Sequence, residues 1–101
     1  MTYAKGPSKI RRVDNNHQEI VRAAEGIGHQ VIDLSKAGRG VPDLAIIRPS
    51  DQRCWLVEVK GPRGKLTPDE EAYALRSRTP IAIVRTVDEL LKLLNVKGET
   101  R

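Results

Sequence analysis

The sequence predicts an α/β domain, a mixed β-sheet flanked by helices with its elements in the order αβββαβ(α). Three observations carry that prediction. Two apolar runs, 41–48 and 53–60, flank the turn Pro49-Ser50-Asp51-Gln52 and read as a β-hairpin. The pattern Thr67-Pro68-Asp69-Glu70 supplies an N-cap, a Pro at the first helical position and a capping-box Glu. The short β-branched run 81–85 then reads as a buried strand. A hairpin is antiparallel, whereas a strand–helix–strand passage permits a parallel neighbour, so the sheet is mixed.

Residues 1–13 contain Gly6-Pro7 with Lys5, Lys9, Arg11 and Arg12, and read as a basic flexible arm ahead of a domain over 14–95 and a tail over 96–101. From Asp14 the spacing of Ile20, Val21 and Ala24 predicts a helix, stopped by Gly26 or Gly28. Val31 and Ile32 are the apolar members of a short strand over 29–34, and 35–40 (SKAGRG) is a loop of small and basic residues. Pro42 sits at the start of the second strand, where a missing N–H is tolerated. After the basic loop 61–65 (GPRGK), the capped helix is expected to reach about residue 78. Thr86 and Glu89 form a second capping box, opening a helix that carries Leu90, Leu91, Leu93 and Leu94.

Phe is absent and apolar residues make up 39%, so Ile, Leu, Val and Ala must build the core with the single Trp55. Such a core serves one domain, and pairing with a second copy would add to it. Eighteen basic against 13 acidic residues give a net charge of +5, which favours a polyanionic partner, nucleic acid first. An anionic membrane surface ranks lower, because no basic amphipathic helix with a bulky aromatic face is visible. Cys54, beside Trp55 and Leu56, reads as a small core residue without a disulfide partner. His17 and His29 are the only histidines, which excludes a Cys/His metal site. No signal-peptide core or membrane span is present, and the expected location is cytoplasmic.

A hairpin centred between Ser50 and Asp51 sets Asp43 opposite Glu58 on one face. Opposed Cβ atoms lie ~5 Å apart, where like charges repel. Lys60, two residues on, shares that face. A divalent cation resolves the repulsion: Mg²⁺ takes hard oxygen ligands and keeps several waters, so two carboxylates with the Val59 carbonyl and a phosphate suffice. The competing reading is a surface ion pair between Glu58 and Lys60, with Asp43 part of the Pro42 turn.

The strings Gly40-Val41-Pro42-Asp43-Leu44, Trp55-Leu56-Val57-Glu58-Val59-Lys60 and Leu66-Thr67-Pro68-Asp69-Glu70 resemble the PD-(D/E)xK nuclease superfamily, in particular its small, phage-type VRR-NUC branch. Holliday junction resolvases look like more distant relatives. The resemblance implies a restriction-endonuclease-like αβββαβ(α) core and a Mg²⁺- or Mn²⁺-dependent endodeoxyribonuclease. It implies Asp43 and Glu58 as metal-binding acids, Val59 as the residue lending its carbonyl, and Lys60 as the catalytic lysine. The family often adds an acid or amide on the first helix. Glu19 is the candidate, with His17 or Gln18 as alternatives, although Asn16 and Glu19 also fit a capping box.

Lys36, Arg39, Arg63 and Lys65 lie in glycine-rich loops at the Asp43–Lys60 end of the hairpin and are candidate DNA contacts. So small a chain has little surface for reading a long site, and two copies on a two-fold axis suit a branched substrate such as a four-way junction or flap. The expectation is a homodimer that nicks branched DNA. The rivals are a catalytically idle DNA-binding accessory domain with the same fold and an interaction module whose acids are surface ion pairs.

Overall fold

A computed structural model of the chain describes residues 5–99, with side chains described over 16–94. Its elements are α1 (Lys5–Gly26), β1 (Gln30–Asp33), β2 (Leu44–Arg48), β3 (Arg53–Val59), α2 (Pro68–Arg76), β4 (Ile81–Val84) and α3 (Val87–Glu99). The strands form one sheet in the order β1-β2-β3-β4. The first two pairings are antiparallel and β3–β4 is parallel, so the sheet is mixed as the sequence predicts.

The hairpin register follows from its turn. Pairing runs from Arg48↔Arg53 to Leu44↔Val57, which centres the turn between Ser50 and Asp51. The Asp51 carboxylate accepts two hydrogen bonds from the Arg48 guanidinium, at 2.9 and 2.8 Å, and the Arg53 N–H at 3.2 Å. Gln52 completes the turn at φ 63°. With the register fixed, strand alternation turns Leu44, Ile46, Trp55, Val57 and Val84 to one side. There Ile20 and Ala24 of α1 and Leu90 and Leu94 of α3 close the core. The same alternation places Cys54 on the opposite face, where it is exposed rather than in the core as expected: Trp55 points inward, so its neighbour cannot.

Several boundaries differ from the sequence reading. Helical backbone begins at Lys5, nine residues before Asp14, so part of the stretch read as an arm is helical. The side chains of Lys5, Lys9, Arg11 and Arg12 lie outside the described residues. At its other end α1 is stopped by Gly28 rather than Gly26: Gly28 takes φ 91°, its N–H reaches Glu25 O, and His29 N reaches Ala24 O. This pair of bonds satisfies the last carbonyls of the helix. β2 opens at Leu44 because Pro42, although fully buried, has no N–H for the ladder. α2 ends at Arg76, where Ser77 turns extended, and α3 continues to Glu99, into the expected tail.

Candidate active site

Three backbone devices bring the site together. Asp43 stands one residue before β2, and its Oδ2 accepts the Val59 N–H at 2.9 Å, tying the carboxylate to β3. Gly40, at φ 80°, packs on the first turn of α2 so closely that a Cβ would lie 2.2 Å from Asp69 O. The capping box then fixes Glu70: Thr67 Oγ1 accepts from Glu70 N at 3.1 Å, and Glu70 Oε1 accepts from Thr67 N at 2.8 Å. Asp43, Glu58, Val59, Lys60 and Glu70 consequently line one cleft of about 750 Å³, with His17 and Gln18 of α1 on its other wall.

Glu58 is 3% exposed. Burial, then the charge of Asp43 and a hydrogen bond with Glu70, push its pKa up to about 8. Lys60 lies between two acids, its Nζ 2.9 Å from Glu70 Oε1 and 3.5 Å from Glu58 Oε2. Burial disfavours its charge, but Glu70 and Glu58 outweigh burial and its pKa is raised. Burial likewise works against the Glu70 carboxylate, yet the Lys60 ammonium and the Thr67 N–H lower its pKa. The site therefore holds a protonated lysine, an ionised Glu70, and a Glu58 that keeps its proton through neutral pH.

The backbone around Lys60 is pinned from three directions. Asn16 Nδ2 donates to Lys60 O at 3.1 Å, and Lys60 N donates to Val84 O at 3.1 Å. One guanidinium nitrogen of Arg85, Nη1, donates to both Gly61 O and Gly64 O, at 2.6 and 2.8 Å. Arg85 thus closes the turn that carries Arg63 and leads to Lys65. Arg85→Ala is expected to cost about 2 kcal/mol in chemical denaturation, since charge-assisted bonds to two carbonyls are lost. Arg85→Lys should recover part of the loss, because one ammonium also has N–H groups for two carbonyls. Full stability in Arg85→Ala would show that the turn stands without it.

Glu19 is not brought to this site. It is exposed and does not line the cleft, whereas His17, Gln18, Val21, Arg22 and Glu25 do. With helical backbone from Lys5, Asn16 and Glu19 lie well inside α1, so the capping-box reading fails as well. Successive helical residues diverge by ~100°, and the face on the cleft holds His17 and Gln18 rather than Glu19. Lys36, Arg39, Arg63 and Lys65 are exposed on the loops either side of the cleft, and none lines it.

No sequence pattern marks Glu70, Asn16 or Arg85 as members of the site. Glu70 was legible only as a helix cap; its second role depends on where α2 starts relative to Lys60. Asp33 is a further member of the wall, its Oδ2 3.4 Å from His17 Nε2. Its Oδ1 accepts from Ser35 N and Oγ at 2.9 and 2.6 Å, and these bonds lower its pKa.

Fold and cleft together define an α/β domain of nuclease type, and comparison with known proteins agrees. The profile of the VRR-NUC domain matches residues 9–87, most of the sequence, and the chain belongs to that family. The PD-(D/E)xK superfamily is consistent with it. A solved structure described as a VRR_NUC domain is similar at 27% identity and a TM-score of 0.64, over 82% of this chain and 94% of that one. No curated protein matches. Among the described residues no helix is long and apolar enough to cross a membrane.

Proposed function

We propose that this chain is a Mg²⁺- or Mn²⁺-dependent endonuclease that hydrolyses phosphodiester bonds in branched DNA, such as four-way junctions or flaps, and acts as a homodimer. The observation that carries the reading is the meeting of Asp43 and Glu58 beside a protonated Lys60 in one cleft. The donor set suits a hard divalent cation. Asp43 and Glu58 offer carboxylate oxygens, and burial first, then the charge of Asp43, raises the proton affinity of Glu58. Among the described residues no three His, Cys, Asp or Glu gather as a ligand cluster. Two carboxylates and the Val59 carbonyl leave positions for water and phosphate, as Mg²⁺ prefers. Such an ion, when bound, supplies Lewis-acid polarisation of the phosphate and a lowered pKa for attacking water.

The chain's own residues do the rest. Asp43 and Glu58 hold and orient the ion. Lys60, fixed as an ammonium by Glu70, donates to a phosphate oxygen as negative charge develops there, acting as a charge stabiliser rather than a base. Lys36, Arg39, Arg63 and Lys65 hold the flanking backbone without reading sequence. Two such sites on a two-fold axis match a symmetric junction.

The test incubates the parent and Asp43→Ala with labelled four-way junction, flap and linear duplex, in Mg²⁺, Mn²⁺ or EDTA. Cleavage of branched substrates by the parent alone, abolished by EDTA, is expected. Binding without cleavage by both proteins would instead identify an accessory DNA-binding domain.

A further inference from the structure

Among the described residues, α2 is the helix without a buried side chain: none of its nine residues is buried, and Leu75 is 87% exposed. Its half-buried positions, Glu70, Tyr73, Ala74 and the capping Ser77, recur at three- and four-residue spacing and mark the inward face. The outward face has Ala72 and Leu75 at its centre. Its charges are ordered: Asp69 and Glu71 lie in the first turn, Arg76 in the last, and Arg78 two residues on. Among the described residues no hydrogen bond or ion pair engages the side chains of Asp69, Glu71 or Arg78, and Arg76 lies over its own neighbour Tyr73, 5.1 Å from the ring centre.

An apolar centre between an acidic and a basic end is complementary to itself when reversed. We propose that the outward face of α2 is a two-fold docking surface, on which a second copy of this chain lays its own α2 antiparallel. Leu75 and Ala72 pack against their counterparts, and the acidic turn of each helix meets Arg76 and Arg78 of the other. The arrangement is isologous, as a two-fold axis requires, and leaves no unmatched patch to propagate a chain of copies. It rests on the homodimer reading above and deepens it by naming the surface. It also bears on the cleft, because the helix that pairs is the one whose first turn holds Glu70 against Lys60.

The test is the solution mass, measured by light scattering and sedimentation without nucleic acid, with protein on the order of 100 µM so that a weak pair is populated. The parent should run at twice the 11.3 kDa of one chain. Leu75→Glu should run at the single mass. A pair of charge-reversed chains guards against misfolding: Asp69→Lys with Glu71→Lys leaves only basic charges on the outward face, and Arg76→Glu with Arg78→Glu leaves only acidic ones. Each alone should be monomeric, and their equimolar mixture should recover the double mass. A monomeric parent, a dimer that survives Leu75→Glu, or a mixture that stays monomeric would overturn the proposal. Since no DNA is present, this result is separate from cleavage: a dimer without nuclease activity would sink only the catalytic reading.

Discussion

Glu58→Gln is expected to abolish cleavage, by on the order of 10³-fold or more, while making the cation-free protein more stable above pH 8. Both effects follow from one carboxyl group. In the folded, cation-free chain Glu58 holds its proton up to about pH 8, against 4.5 for an ordinary glutamate. Between those values the folded state binds a proton that the unfolded state has released. Stability therefore falls as pH rises from about 4.5 to about 8, the reverse of a salt-bridged carboxylate. Glutamine keeps the shape, removes the titration and lifts the repulsion with Asp43, so denaturation midpoints of the variant should lose this slope. Cation binding must expel the same proton. Calorimetry of the parent in buffers of different ionisation enthalpy should show proton release on binding Mg²⁺ or Mn²⁺ below pH 8, with affinity rising over that range. The variant should bind more weakly without that release. An unchanged cleavage rate in Glu58→Gln would remove Glu58 from the chemistry, and an unchanged pH slope would show that its burial is relieved in solution.

What was legible in the sequence divides along a physical line. Strand facing and hairpin register were legible because period-2 alternation and the position of a four-residue turn determine them; the meeting of Asp43, Glu58 and Lys60 follows from those alone. Helix phase was not. Glu19, Gln18 and His17 are neighbours in sequence but each is turned ~100° from the next around α1, and the choice between them depends on how the helix rolls against the sheet. Side chains with two duties were half legible. Glu70 reads as a cap because capping is local, while its contact with Lys60 joins residues ten apart through a loop whose path the sequence does not state. Arg85 is harder still: nothing local marks an arginine at a strand end as the closure of a turn more than twenty residues earlier.

Gly40→Ala is expected to be a severely damaging single-methyl change, and its cause is the junction of the first and third site strings. The added Cβ would lie 2.2 Å from Asp69 O, 2.5 Å from Asp69 C and 2.9 Å from Glu70 N, all backbone atoms that cannot swing aside. Alanine at φ 80° adds strain of about 1–2 kcal/mol, and the overlap a further 1–3 kcal/mol. The sum is a large part of the 5–15 kcal/mol that holds a typical domain. Gly38 is the control: it has φ 74° but open space where its Cβ would go, so Gly38→Ala carries the strain without the overlap. The difference between the two variants in chemical denaturation isolates the close approach. The approach also fixes function, because moving the first turn of α2 outward carries Glu70 away from Lys60 and leaves the ammonium less well oriented. Cleavage by residual folded Gly40→Ala should therefore fall further than its folded fraction explains, while Gly38→Ala should track its folded fraction. Equal stability and equal activity in the two variants would mean that α2 yields freely, and that the capping helix does not hold the lysine in place.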